Sequence, residues 1–280
     1  MKVGNLSNRL TLFTEQGAID VEKASGGRFG HDPQSVYENW DLFVEWAAHA
    51  PHDFKATPYA LEDLGPPSPR PRQVFAIGAN YRAHVKEGDF PVPESPMVFT
   101  KWVSSFTGPY SDVALPGKTV DWEAELVVIV GKRARNVPAE EAWSYVAGLT
   151  VGQDLTERTV QLRGKAPQFG PSKSFPGFSP SGPWLATLDE FADPGNLAIG
   201  CSLNGRQMQD GRTTDMVFPV PNVISELSRF VTLEPGDVIF TGTPAGVGLH
   251  QDPPRFLMQG DELVTTIEGI GQMRHLFVNA

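Results

Sequence analysis

Residues 121–130 read Asp121-Trp122-Glu123-Ala124-Glu125-Leu126-Val127-Val128-Ile129-Val130, and Gly131 closes the run. A short, continuous, β-branched run stopped by glycine predicts a buried strand rather than a helix. Side chains alternate along a strand, so Glu123 and Glu125 share one face while Ala124 and Leu126 take the other. Two carboxylates side by side at the entrance to a core strand repel each other, and burying either one unpartnered is costly. A bound cation is the natural compensation. An all-carboxylate site favours a hard ion, Mg2+, Mn2+ or Ca2+, over zinc. The competing reading is a solvated strand end carrying two unrelated charges.

The rest of the composition narrows the class. With 280 residues and 40% hydrophobic content, the chain can bury one large domain, or a large and a small one. Its 28 Gly and 25 Pro predict many turns and a β-rich body. The formal charge of -10, with Lys and Arg scattered, argues against a nucleic-acid partner. Cys201 is the single cysteine, which excludes an internal disulfide, and it reads as a small core residue rather than a nucleophile. Met1-Lys2-Val3-Gly4-Asn5 lacks the apolar core of a signal peptide, and no apolar run approaches membrane-spanning length. The expectation is a soluble cytoplasmic protein with no membrane partner.

Along the chain, 9–13 and 18–21 predict two short strands about Gln16-Gly17. Val36, Trp40, Phe43, Val44 and Ala47 then fall on one face of a helix. The proline run from Gly65 to Pro71 predicts a linker, which divides the chain into a small amino-terminal domain (1–64), a linker (65–72) and a main domain (73–280). A strand at 74–77 leads to Gly78 and the segment Asn80 to Glu87. If that segment is helical, His84 and Glu87 share a face, close enough for a carboxylate to orient an imidazole. Pro138 opens a predicted helix to Ala147, and 149–151 a strand that delivers Asp154. On a helical turn Asp154, Arg158 and Gln161 would share a face. Residues 164–183 form a long Gly-, Pro- and Ser-rich loop containing Lys173. The Asn204-Gly205 pair predicts a hairpin between 197–203 and 206–209, and a helix over 222–231 presents Val223, Leu227 and Phe230. Glycines at 242–248 do not fit G-x-G-x-x-G, and Pro244 and Pro253-Pro254 oppose the helix that motif needs, so a dinucleotide site is not expected; a backbone nest or turn that can receive a small anion stays open.

Taken together, these ordered motifs resemble the fumarylacetoacetate hydrolase family. They are Gly78-Ala79-Asn80-Tyr81 with His84 and Glu87, the 121–126 stretch, Asp154 with Arg158 and Gln161, Lys173, and Gly236-Asp237-Val238-Ile239-Phe240-Thr241-Gly242-Thr243-Pro244. The match runs from about residue 72 to 278, and its specificity lies in the order and spacing of several motifs. The resemblance implies a mainly β fold with some α, a mixed β-sandwich or roll, and a homodimer. It implies Mg2+ or Mn2+ on Glu123, Glu125 and Asp154, with Ca2+ as a crystallographic substitute. His84 and Glu87 would be the acid-base dyad, Lys173 would lie near the developing oxyanion, and Tyr81, Arg158, Gln161 and Thr243 would hold the substrate. Thr159 and Pro176 depart from the family pattern, standing where acidic residues are usual.

The implied chemistry is that of a small anionic 2-oxo acid chelating the metal. The first expectation is a hydrolase cleaving a C–C bond in a 2,4-dioxo acid to a carboxylic acid and pyruvate or a related 2-oxo acid, with water activated by His84. An oxaloacetate-type decarboxylase, or an isomerase or dehydratase of a 2-oxo acid, uses the same enolate. A non-catalytic 2-oxo acid binding protein is the reading from a different class.

Overall fold

In the computed structural model, which describes residues 1–49 and 56–280, the strand Ala124–Val130 lies near the middle of an 11-stranded sheet. Antiparallel neighbours flank it, Val146–Gln153 on one side and Val238–Phe240 on the other. All seven of its residues are buried. The reason is that each face of the sheet meets its own core. Leu126, Val128 and Val130 pack with Leu149, Val151 and the helix residues Val223, Ile224 and Leu227, while Val127 and Ile129 pack with Val3, Trp40, Phe43 and Phe240. A strand covered on both sides has no polar face to show, which explains the unbroken apolar run.

The second layer is a five-stranded sheet ordered Arg206–Arg212, Ala198–Leu203, Glu262–Ile267, Gly271–Asn279 and Val113–Leu115. Its first hairpin turns at Asn204 and Gly205, both at positive φ (51° and 78°), the backbone that an Asn-Gly turn supplies. The fold is therefore mainly β with some α, in mixed sheets. Among the described residues no helix is long and apolar enough to cross a membrane.

The predicted elements mostly form, with shifted ends. The strands about Gln16 are Arg9–Thr14 and Gly17–Asp20, and the chain also opens with a strand, Lys2–Leu6. Lys2 and Val3 pair with Ala186 and Leu185, so the main sheet continues into the amino-terminal segment. The proline run is fastened rather than loose: Tyr37 donates to Pro67 O at 3.1 Å, and Ser68 Oγ donates to Gly236 O at 2.7 Å. The stretch after Pro138 is a 3-10 helix, Ala139–Tyr145, and the later helix spans Val220–Phe230. Val223 and Leu227 are buried as expected, but Phe230 is 71% exposed. It ends the helix, where the backbone turns extended at Val231, and its ring projects past the core.

Candidate active site

The register of the two central strands assembles the acidic groups. Ala124 pairs with Gln153, so Glu123 and Asp154, each one residue outside its strand, come together. Asp154 N–H donates to Glu123 O at 2.9 Å, and Glu123 N–H to Gln153 Oε1 at 2.8 Å. Ligand oxygens of Glu123, Glu125 and Asp154 all lie within 4.8 Å of one another, and all three residues are buried. Burial and the charges of Asp154 and Glu123 push the Glu125 carboxyl well above the usual range. Burial opposes ionisation of Glu123 too, but there Lys173 and Arg158 outweigh it and hold the group low.

Three buried cations surround this trio. Lys173 Nζ donates to Glu123 Oε2 and Asp154 Oδ2, both at 2.7 Å, and to Thr156 Oγ1 at 2.8 Å. Those bonds engage all three ammonium protons, so Lys173 ties Glu123, Asp154 and Thr156 together. Lys101 Nζ likewise donates to Asp154 Oδ1 and Lys173 O, both at 2.5 Å, and to Phe178 O at 3.0 Å. Arg158 grips Asp121 Oδ2 at 2.7 Å and Glu123 Oε1 at 2.8 Å through Nη2, and donates to Gln161 Oε1 at 2.9 Å through Nη1.

The helical face expected to carry Asp154, Arg158 and Gln161 together does not form. Thr156 and Glu157 instead pair with Asp121 and Val120 as a short two-stranded ladder, and the helix covers only Arg158–Gln161. Glu157 caps it, accepting Val160 N–H at 2.7 Å. Asp154 thus meets Arg158 only through Glu123. Of the two departures from the family pattern, Thr159 bonds Thr119 and Pro176 is exposed; neither touches the trio.

His84 and Glu87 lie on the helix Arg82–Glu87, with Nδ1 and Oε1 2.7 Å apart. Glu87 Oε2 accepts Gly246 N–H at 2.9 Å. His84 is near enough to Glu123 that its charge would help hold that carboxyl down. The carboxylate fixes the proton on Nδ1, leaving Nε2 as a lone-pair donor. Of the other expected substrate groups, Thr243 Oγ1 accepts from Gln209 at 2.7 Å, and the buried Tyr81 hydroxyl has no partner among the described residues.

The glycine stretch does something other than receive a free anion. Gly242 N–H donates to Glu125 Oε2 at 2.7 Å, Gly246 N–H to Glu87, and Gly248 and Leu249 N–H to Asp121 at 2.7 and 3.0 Å. Its amides hold the protein's own carboxylates. Sequence reasoning missed Lys101, Asp121 as the Arg158 anchor, Gln153 and Gln209. The one available signal was Lys101 itself, a lone lysine between Met97-Val98-Phe99 and Trp102-Val103.

Four buried carboxylates, Asp121, Glu123, Glu125 and Asp154, face three buried cations, Lys101, Arg158 and Lys173. The protein's cations leave Glu125 uncompensated: among the described residues its one hydrogen bond is from Gly242 N–H, and burial beside like charges favours its protonated form. An oxygen-only donor set with one carboxyl that no protein cation neutralises fits a hard divalent cation.

Residues 73–278 match the family model described as the fumarylacetoacetate (FAA) hydrolase C-terminal. Over 207 residues the chain is 46% identical to the human protein named oxaloacetate tautomerase FAHD2A, mitochondrial; the alignment spans 73% of this chain and 66% of that one, just under two thirds of the relative's length. A solved structure of a candidate HpcE protein from Mycobacterium smegmatis matches over 100% of both chains, with a TM-score of 0.95 and 52% identity. Maleylpyruvate hydrolase from Sphingobium sp. SYK-6, solved with manganese(II) and pyruvate, matches over 100% of both chains with a TM-score of 0.83 and 27% identity. With most of its length inside the family model and its fold shared end to end with such structures, the chain belongs to the fumarylacetoacetate hydrolase family.

Proposed function

We propose that this chain is a divalent-metal-dependent enzyme that moves a proton at the carbon beside the carbonyl of a small 2-oxo acid, and that its reaction is keto-enol tautomerisation of an oxaloacetate-type substrate. The observation that carries the reading is the His84–Glu87 pair standing beside the trio Glu123, Glu125 and Asp154. The choice of tautomerisation is supported by the 46% identity to the human oxaloacetate tautomerase.

Glu123, Glu125 and Asp154 would hold Mg2+ or Mn2+, which when bound supplies an electrophile that polarises the 2-oxo carbonyl and acidifies the adjacent C–H. His84 Nε2 takes the proton from that carbon. Glu87, 2.7 Å from Nδ1, offsets the imidazolium charge. Nε2–H then returns the proton to the enolate oxygen, or to carbon in the reverse direction, and no water is consumed. The buried charges of Lys173 and Arg158 favour the anionic stage of the cycle.

A second reading, hydrolysis of a C–C bond in a 2,4-dioxo acid, is supported by the likeness to maleylpyruvate hydrolase holding manganese and pyruvate. There His84 Nε2 would take its proton from water. Proton NMR of the Mg2+-loaded protein with oxaloacetate and with acetylpyruvate, each repeated with EDTA, separates the two. The proposal expects keto-enol equilibration of oxaloacetate faster than in buffer, abolished by EDTA and slowed at least about a hundredfold in His84→Gln. Acetate and pyruvate from acetylpyruvate would move the assignment to the hydrolase, and pyruvate from oxaloacetate to a decarboxylase. Full activity of Glu123→Ala at saturating metal would sink all three.

A further inference from the structure

A second imidazole stands beside that of His84, outside every role assigned above. His250 closes the 3-10 turn Gly248–His250. The first two amides of that turn are fixed on Asp121, the same carboxylate that grips Arg158. The turn is therefore registered against the buried cation. Its ring centre lies 6.0 Å from that of His84 and 6.0 Å from that of Phe90, while His84 and Phe90 are 6.3 Å apart, all three pairs edge to face. Three rings from three segments thus cluster beside the dyad: the catalytic helix, the chain just after Gly88, and the turn that follows the glycine stretch. Phe90 is 47% exposed, which leaves apolar surface next to both imidazoles.

His250 is only partly buried, and among the described residues its ring has charged neighbours but no hydrogen-bond partner. Burial keeps it below the ordinary imidazole pKa against the pull of Glu87, so near neutral pH it is an uncharged ring with one N–H to offer. Arg158 adds positive field at the same position.

We infer that His250 determines specificity: its free N–H takes the distal carboxylate of a 2-oxo diacid whose 2-oxo end lies at Glu123, Glu125 and Asp154, with Phe90 covering the carbon between. This rests on the reading of His84 as the base that works beside the carbonyl. In a four-carbon 2-oxo diacid the second carboxylate is bonded to the very carbon that loses the proton. A group one bond beyond the target of His84 is thus presented to the neighbouring ring of His250. A monocarboxylic 2-oxo acid of the same length has nothing to offer His250.

The test uses the Mg2+-loaded protein with His250→Leu and with His250→Gln, which keeps an N–H. His250→Leu should raise KM for oxaloacetate about tenfold, the loss expected for one hydrogen bond to a charged group. His250→Gln should recover part of that loss. The inhibition constants of 2-oxobutyrate and of oxalate, which lack the distal arm, should stay within about twofold. An equal loss for the diacid and the monoacid, or no loss for either, overturns the specificity role and leaves the tautomerase reading intact. If the wild-type protein is inert towards oxaloacetate, that reading fails. Calorimetric titration with oxaloacetate and 2-oxobutyrate then decides the inference separately: a preference for the diacid that His250→Leu abolishes upholds it, and equal binding overturns it.

Discussion

His275 shows how a single buried side chain sets a pH limit on the fold. It lies on the strand Gly271–Asn279, fully buried, with Nε2 3.2 Å from Gly108 O and Nδ1 without a partner. Burial lowers its pKa from the ordinary 6.5 to about 4. The native ring therefore stays neutral where the unfolded one takes a proton, and stability falls as pH drops from about 6.5 towards about 4. The total is on the order of 3 kcal/mol, with about 2 kcal/mol already lost at pH 5. Urea unfolding at pH 7 and pH 5 should show that loss, and His275→Gln, which keeps a donor for Gly108 O, should not; an equal loss in both proteins would refute the assignment. His275 gave no warning in the sequence, because a histidine on an alternating strand reads the same whether its face is wet or dry. Glu123 and Glu125 were legible because spacing alone put them on one face. Lys101 and Asp121 were not, because their roles depend on contacts made 53 and 37 residues away, at Asp154 and Arg158.

At the scale of elements, local signals succeeded where they depend on backbone chemistry. The Asn204-Gly205 hairpin formed as read, and so did the His84–Glu87 helix. The glycine stretch was harder to interpret, because a run of amides available for an anion looks identical whether the anion arrives from outside or belongs to the chain. Gly246 makes the difference testable. It sits at φ 106°, and a Cβ there would come within 2.0 Å of Met208 O, so the segment must shift and release Glu87. Gly246→Ala should cost at least about 2 kcal/mol of stability and lower kcat more than it raises KM. Gly205→Ala is the control, since it also replaces a positive-φ glycine (78°) but meets nothing within 4 Å. It should cost about 1 kcal/mol and leave kcat alone. Equal kinetics in the two variants would mean that Gly246 does not orient the dyad.

For the whole molecule, the central strand joins stability to function. Ala124–Val130 is covered on both faces, and the acidic trio gathers where it meets Val146–Gln153, so any charge imbalance there is borne by both cores. That imbalance falls on Glu125, whose carboxyl is buried among like charges and, among the described residues, hydrogen-bonded to Gly242 N–H alone, so that folding must either protonate it or bury its charge. A divalent cation that binds only the folded chain would remove the repulsion and add about 2.7 kcal/mol at a hundredfold excess over its Kd. For a chain of 280 residues that is a rise in Tm of roughly 5 °C. Glu125→Gln removes that cost but keeps an acceptor for Gly242 N–H. In EDTA it should therefore melt above the wild-type protein in EDTA, while Mg2+ or Mn2+, which raises the wild-type Tm, should no longer shift it. The order of stability in EDTA and the order of activity in metal should then be opposite, as expected of a carboxylate kept in the core for its ligand rather than for the fold. If both proteins respond equally to metal, the ion does not depend on Glu125.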